Sequence, residues 1–282
     1  MAIGACAPLA ACSRMSTSEA RIPGPSGAIG VDDGGAGGLP VVFVHSLAGT
    51  GSQWNAQLLH LRLYRRAVAI DLMGHGRSDP PRGGDYSLDS LAGGVAATVD
   101  ALRLGRVFVV GHSMGGGVAL AYAAAHPERV AGLLLVDPID DPSRRTEDVM
   151  TPFLEKLQSP EYEATIEAYW RQILEGANED VMARVLGDLK RTPSTTVVES
   201  LKAMEKFDAA AEFARYRGPA LSIVTRFNDV PSSLHKVVPG LRHTVISGTS
   251  HWIQMDRPEE FNRVMDEFIV SVEGDVSDTR SR

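Results

Sequence analysis

The residues best suited to chemistry lie in the pentapeptide Gly-His-Ser-Met-Gly at 111–115, which follows an apolar run and precedes an alanine-rich one. A β-forming run that changes to a helix-forming one across a single serine predicts a strand, a sharp turn and a helix, with Ser113 at the turn. Glycines at 111 and 115 would let the strand and the helix approach, because glycine has no Cβ. The helix N-terminus would then face the point where an oxyanion forms. We therefore predict that Ser113 is a nucleophile.

This chemistry needs two further side chains. A serine hydroxyl is a weak nucleophile until a base removes its proton, and the base needs an acid that orients it and stabilises its charged form. Both partners can lie far from the serine in sequence. The candidates are the eight histidines of the chain and the aspartates that follow predicted strands.

Composition and charge limit the class of protein. The chain has 282 residues, of which 44% are hydrophobic and 22% charged, and this suits one large α/β domain with an insertion. A net charge of −7 leaves no general basic field, so we expect no nucleic-acid partner. No apolar stretch approaches the ~20 residues that span a bilayer.

Metal and cofactor motifs are missing from the sequence. Cys6 and Cys12 both precede the first predicted strand of the core, which leaves the folded body without a disulfide framework or a thiolate metal site. There is no His-Glu-x-x-His or Cys-x-x-Cys pattern, and the glycine loops at 49–51 and 74–76 lack the lysine of a phosphate loop. We expect no metal and no cofactor.

The first 38 residues are predicted to form a flexible N-terminal segment. Residues 13–38 are rich in Gly, Pro, Ser and Asp, with a weak edge strand at 28–31. Leu-Ala-Ala-Cys at 9–12 resembles the lipobox of bacterial lipoproteins, which would place a lipid anchor on Cys12 and the protein in the cell envelope. The alternative is an unmodified cytoplasmic tail, because the segment has no positively charged start.

Strand and helix signals alternate through residues 39–138 and 215–272. This alternation predicts an α/β fold whose mostly parallel, twisted sheet is flanked by helices. Strand signals vanish in residues 139–214, which predicts a small helical cap inserted after the strand that ends near Asp137 and lying over the carboxyl ends of the strands. Residues 273–282 are predicted to be a frayed tail.

Four segments in this order resemble the α/β-hydrolase superfamily over residues 39–270. They are the loop after His45, Asp-Leu-Met-Gly-His-Gly-Arg-Ser at 71–78, the serine turn at 111–116 and Gly-Thr-Ser-His-Trp at 248–252. The resemblance implies a nucleophile elbow, an oxyanion hole and a catalytic triad. It says little about the substrate, because one fold serves many functions.

The resemblance also implies roles for the base and the acid. His251 follows the last predicted strand, where the superfamily places its base. Asp229 follows the strand after the cap, where most relatives carry the acid, although Arg-Phe-Asn replaces the usual Gly-x-x lead-in. Asp137 ends the strand after the elbow helix, where some relatives, including certain dehalogenases, place it. We prefer Asp229 and keep Asp137 as the alternative.

By the same resemblance, the oxyanion hole consists of the backbone amides of Leu47 and Met114. Ser46 replaces the glycine that usually follows the histidine at position 45 in relatives, and its hydroxyl would add a contact to the substrate. Ser46 and Trp252 are therefore the predicted substrate-binding residues.

The expected activity is that of a serine hydrolase cleaving carboxylic esters of small to medium hydrophobic substrates through an acyl-enzyme. Aromatic and methionine side chains of the cap would make its cavity apolar. Two alternatives stay open: a lactonase or carbon–carbon bond hydrolase with the same triad, which the enol-lactonase and meta-cleavage hydrolase relatives exemplify, and a non-catalytic ligand-binding receptor. A serine at 113 argues against haloalkane dehalogenase and epoxide hydrolase chemistry, which needs a carboxylate nucleophile.

Overall fold

The protein is described by a computed structural model that covers residues 17–226 and 228–280. Its strands are β1 (Thr17–Pro23), β2 (Ala28–Gly34), β3 (Val41–Val44), β4 (Ala67–Ile70), β5 (Val107–His112), β6 (Val130–Val136), β7 (Ala220–Val224) and β8 (Arg242–Val245). They form one sheet in the order β1-β2-β4-β3-β5-β6-β7-β8. The pairs β1–β2 and β2–β4 are antiparallel and the others parallel, which confirms the predicted α/β class.

Helices cover both faces of the sheet. They are α1 (Asn55–Leu61), α2 (Leu88–Ala101), α3 (Met114–Ala125), α4 (Met150–Leu157), α5 (Tyr162–Ile173), α6 (Glu179–Arg191), α7 (Ser194–Met204), α8 (Ala209–Arg215), α9 (Leu234–Val237), α10 (Ile253–Asp256) and α11 (Pro258–Arg280). Helices α4 to α8 lie between β6 and β7 in the chain. Among the described residues, no helix has both the length and the apolar character needed to cross a membrane.

The central strands are buried along their whole length because helices cover both of their faces. All residues of β3, β5 and β6 are buried, as expected for parallel strands between two helical layers. Successive side chains of a strand point to opposite faces. In β3, Val42 and Val44 therefore join the core shared with α2, α3 and the inserted helices, while Val41 and Phe43 join the core shared with α1 and α11.

The prediction of a flexible N-terminal segment is wrong for residues 17–34, although the strand predicted at 28–31 is present as part of β2. β1 and β2 form a hairpin, and β2 pairs with β4 so that Val31 lies opposite Ile70. The residues that suggested flexibility form the turn, where Gly24 N–H donates to the Gly27 carbonyl at 2.9 Å. Ile29 and Val31 are buried in the core, so tertiary contacts outweigh the weak local preference. The lipobox-like segment with Cys12 lies outside the described residues.

The prediction of a frayed tail at residues 273–282 is wrong for residues 273–280, because α11 continues to Arg280. Residues 281 and 282 lie outside the described residues. Val272 is buried in the core, and the carboxylate of Glu273 pairs with the guanidinium of Arg65 at 2.9 Å. These contacts hold the helix beyond the point where its apolar pattern weakens.

Candidate active site

Ser113 stands at the sharp turn between β5 and α3. Its backbone has φ 54° and ψ −119°, a left-handed conformation that is strained for a residue with a side chain. A Cβ at position 111 would lie 2.2 Å from the carbonyl oxygen of Gly115, and one at position 115 would lie 2.3 Å from that of His45. Both glycines are therefore needed for the close approach of strand and helix, as expected.

His251 meets a carboxylate at the end of β6. Its Nδ1 donates a 2.6 Å hydrogen bond to Oδ2 of Asp137, which is fully buried. Asp137 also accepts hydrogen bonds from the N–H and the hydroxyl of Thr225, at 2.8 and 2.9 Å. These partners hold the carboxylate in place beside Nδ1 of His251.

The preference for Asp229 as the partner of His251 is wrong. Its side chain is 45% exposed and pairs with His235 at 3.0 Å and with Lys236 at 2.8 Å. Hydrogen bonds from Lys236 and His235 lower the pKa of Asp229, as expected of an ordinary surface ion pair. Asp229 thus binds two residues of the short helix α9. The alternative residue, Asp137, occupies the position beside His251.

Ser113 and His251 line the same cavity, which measures about 120 Å³. Just over half of the lining residues are apolar, and these come from the inserted helices and from the segment after β6. The lining side chains of this kind are Pro138, Ile139, Pro142, Met150, Ile173, Leu201 and Met204. Asp140, Arg145, Tyr169 and Asn228 supply the polar part of the wall. The cavity can hold a small, mainly apolar group against the serine.

The two amides predicted to form an oxyanion hole belong to the first residue of α3 and to the loop after β3. Met114 is the first residue of α3, so its N–H has no carbonyl one helical turn before it. Leu47 lies in a turn closed by a 3.0 Å hydrogen bond from Gly49 N–H to the Ser46 carbonyl, with φ 55° at Ala48. The assignment of these amides to an oxyanion stays a prediction.

His45 holds the loop that carries Leu47. Its Nδ1 donates to the Ser46 carbonyl at 2.7 Å, and its Nε2 accepts from Leu72 N–H at 2.9 Å. Its ring lies 5.2 Å from that of His75. Burial lowers the pKa of both histidines, for His75 to about 3, so both are neutral at physiological pH. His45 therefore supports this loop, and His75 packs against His45.

His112 supports His251 from behind. The Nε2 of His112 donates to the carbonyl oxygen of His251 at 2.8 Å, and the two rings lie 4.6 Å apart. Burial lowers the pKa of His112 well below its usual value, and the proximity of His251 lowers it further. A neutral His112 can thus position the backbone of His251 without adding a second charge.

Ser46 and Trp252, the predicted substrate-binding residues, lie in a buried polar cluster and not in the described lining of the cavity. Both donate to Oε1 of Gln53, Trp252 through its indole N–H at 3.3 Å and Ser46 through its hydroxyl at 3.4 Å. The amide of Gln53 in turn donates to Asp188 on α6 at 2.9 Å. The cluster therefore connects the inserted helices to both loops of the candidate site.

Asp256 makes a second connection between the inserted helices and the loop of His251. The sequence analysis did not predict it. Its Oδ2 accepts from both the N–H and the hydroxyl of Ser250, and its Oδ1 accepts from the N–H of Asn178. The N–H of His251 donates to the carbonyl of Ile173, the last residue of α5, at 3.1 Å. The sequence shows an acidic residue, Asp256, shortly after His251. Nothing in the sequence links Asp256 to Asn178, because the two are 78 residues apart.

The profile of the α/β hydrolase fold family matches residues 40–258, which is most of the chain. The chain belongs to this family. Over 259 residues it is 26% identical to a Bacillus subtilis (strain 168) protein provisionally named 2-succinyl-6-hydroxy-2,4-cyclohexadiene-1-carboxylate synthase, covering 86% of this chain and 94% of that one.

Solved structures share the α/β-hydrolase fold with this chain. A thermophilic esterase from Thermogutta terrifontis superposes with a TM-score of 0.75 at 23% identity, covering 90% of this chain and 99% of its own. The enol-lactonase from Burkholderia xenovorans LB400 gives a TM-score of 0.75 at 22% identity, covering 89% and 100%. At these identities the likeness shows the fold alone.

Proposed function

We propose that this α/β-hydrolase is a serine hydrolase that cleaves carboxylic esters of small to medium hydrophobic substrates through an acyl-enzyme. The observation that carries the proposal is the hydrogen bond between Asp137 and His251, in a cavity that His251 shares with the strained Ser113. A hydroxyl, an imidazole and a buried carboxylate are the three parts that nucleophilic acyl transfer requires.

In the proposed reaction, Oγ of Ser113 attacks the ester carbonyl while Nε2 of His251 takes the hydroxyl proton. Asp137 stabilises the imidazolium that results. The carbonyl oxygen becomes an oxyanion that accepts hydrogen bonds from the amides of Leu47 and Met114. His251 then gives the proton to the departing alkoxide, which leaves as an alcohol. Water, deprotonated by the same imidazole, then attacks the acyl carbonyl. The bond to Oγ of Ser113 breaks, His251 returns the proton to Oγ, and the acid is released.

The size and lining of the cavity favour substrates with small, mainly apolar acyl or alkyl groups. A volume of about 120 Å³ is small beside the roughly 300–1,000 Å³ typical of ligand sites. Relatives bear names of different activities, esterase and enol-lactonase among them. A lactone places the same carbonyl in a ring, so lactone hydrolysis is the second candidate for the same three residues.

The test is a panel of para-nitrophenyl esters with acyl chains of increasing length, assayed with the wild type and with Ser113→Ala. We expect turnover of the short and medium esters and a loss of roughly 10³-fold or more in kcat for the variant, because the nucleophile is gone. Ser143→Ala, a serine outside the cavity, is the matched control and should behave as the wild type. Equal activity of Ser113→Ala and the wild type would refute the proposal.

A lactone panel separates the two candidates. If aliphatic lactones are hydrolysed and no open-chain ester is, while Ser113→Ala abolishes that activity, the ester assignment fails and the lactone assignment replaces it.

A further inference from the structure

Arg145 is the only lysine or arginine among the described residues that line the cavity. In many binding sites an arginine in the cavity wall binds the carboxylate of a ligand, because its planar guanidinium can donate hydrogen bonds to both carboxylate oxygens. The surroundings of Arg145 therefore decide whether the cavity can accept an anionic substrate.

The guanidinium of Arg145 is already occupied by two carboxylates of the protein. Its Nε and Nη2 donate to the two oxygens of Asp140 at 2.9 and 2.6 Å. Its Nη1 donates to the two oxygens of Glu205 at 2.7 and 2.9 Å. Four hydrogen bonds from five N–H groups leave no pair of adjacent donors for a second bidentate partner.

These three side chains are held by separate elements of the fold. Asp140 follows β6 and also accepts a 2.7 Å hydrogen bond from the hydroxyl of Ser232. Arg145 lies in the segment that leads into the inserted helices, and Glu205 follows α7. The side chains of all three are between 16% and 23% exposed, so solvent screens their interactions only in part.

The formal charges of the group are +1 for Arg145 and −1 each for Asp140 and Glu205, which sum to −1. Burial alone would raise the pKa of Asp140, but the hydrogen bonds from Arg145 and Ser232 outweigh it, and the pKa lies below its ordinary value. A substrate carboxylate entering the cavity would meet this net negative charge. It would also have to displace a carboxylate that the protein itself supplies.

Tyr169 and Asn228 contribute neutral polar groups to the wall. Burial raises the pKa of Tyr169, so its hydroxyl stays protonated near neutral pH. The amide of Asn228 donates to the carbonyl oxygen of Pro138 at 2.6 Å and so braces the segment after β6. A neutral polar group of a substrate can be accommodated here without a charge conflict.

We propose that Glu205 and Asp140 are specificity-determining residues that occupy Arg145 and restrict the enzyme to substrates uncharged at the end that enters the cavity. This inference rests on the proposed ester hydrolysis and deepens it. It excludes hydrolysis of esters whose acyl chain carries a free carboxylate as a principal activity.

The first experiment compares two esters of equal shape. One is para-nitrophenyl hemiglutarate, whose acyl chain ends in a carboxylate, and the other has a methyl ketone in place of that carboxylate. With the rate in the absence of enzyme subtracted, we expect kcat/KM of the wild type to be at least about tenfold higher for the neutral ester. Equal or better turnover of the anionic ester overturns the inference, and ester hydrolysis itself still stands.

The second experiment removes the occupying charge. Glu205→Gln makes the group neutral and frees donors of Arg145, so the preference for the neutral ester should fall by about tenfold, mainly through KM of the anionic ester. Glu199→Gln on α7 removes the same charge from a surface pair with Lys202 and should leave the preference unchanged. An unchanged preference in Glu205→Gln contradicts the proposal.

Asp140→Asn provides a second variant in case Glu205→Gln does not fold. Asparagine can still accept from Ser232, and the group again becomes neutral, so the same loss of preference is expected. If the wild type hydrolyses neither of these two esters and no other ester, the proposed function fails. That result differs from the loss of a charge preference in an active enzyme.

Discussion

The carboxylate of Asp137 and the imidazole of His251 share a 2.6 Å hydrogen bond across 114 residues of sequence. The two residues follow different strands, β6 and β8, with β7 between them in the sheet. Thr225, at the end of β7, donates two hydrogen bonds to the same carboxylate. Three strand ends thus converge on one acid.

Asp137→Asn should lower kcat by roughly 10³–10⁴-fold with little change in KM, because an amide cannot hold the productive tautomer of His251 or stabilise its charged form. The measurement is the steady-state hydrolysis of para-nitrophenyl butyrate by protein with wild-type circular dichroism. Asp229→Asn is the matched control and should retain nearly full activity. A crippled Asp229→Asn beside an active Asp137→Asn would reverse the assignment.

Asp256→Ala should lower kcat by up to roughly 100-fold while KM changes little, since Asp256 positions the loop of His251 and does not line the cavity. Asp256→Asn keeps one acceptor oxygen and should be intermediate. Asp266→Ala removes a carboxylate that binds His60 and Tyr64 at the surface, and its kcat should match the wild type. A rise in KM with constant kcat in Asp256→Ala would argue against a positioning role.

Gly115→Ala should destabilise the protein by roughly 3 kcal/mol or more, because the added Cβ would meet the backbone oxygens of His45 and Val44 at 2.3 and 2.5 Å. The free energy of unfolding in urea measures this. At Gly93 in α2, the added Cβ would touch only Pro25, at 3.4 Å, so Gly93→Ala should be neutral or stabilising by up to about 1 kcal/mol. Equal stability of the two variants would contradict the close approach at the elbow.

The stability of the fold should decrease as the pH falls below 6.5. Burial lowers the pKa of His45, His75 and His112 from 6.5, for His75 to about 3. Below pH 6.5 the unfolded chain binds protons on these imidazoles and the folded chain does not, so protonation favours unfolding. Each histidine contributes about 1.4 kcal/mol per pH unit until its folded pKa is reached.

The free energy of unfolding, measured in urea from neutral pH to about pH 5, gives this slope. His75→Gln should reduce the slope by about 1.4 kcal/mol per pH unit, because one proton fewer is taken up on unfolding. A slope identical to that of the wild type would show that His75 remains accessible to protons in the folded state.

Features formed by residues that are neighbours in the chain could be predicted from the sequence. Ser113 is identifiable because the change from a β-forming to a helix-forming run and the flanking glycines all lie within a few residues of it. The buried strands β3, β5 and β6 were predictable for the same reason, since a continuous apolar run can be buried on both sides of a parallel sheet. The resemblance to known hydrolases added His251.

Features made by distant pairing were not predictable. The hairpin of β1 and β2 has weak local signals and gains its stability from pairing with β4, over 30 residues away in sequence. Ser46 and Trp252 lie close in sequence to candidate site residues, yet both bind Gln53 in a buried cluster. The occupation of Arg145 by Asp140 and Glu205 depends on how α7 packs against the segment after β6.

The sequence by itself determined the fold class, the candidate nucleophile and, by resemblance, the candidate histidine. Only the tertiary structure decided which aspartate meets that histidine and how the charge of the cavity is balanced. The physical reason is distance: both aspartates follow strand ends and look alike in sequence, while a hydrogen bond requires atoms within about 3 Å. Strand order and the turn after β7 bring Asp137 to that distance and leave Asp229 at the surface.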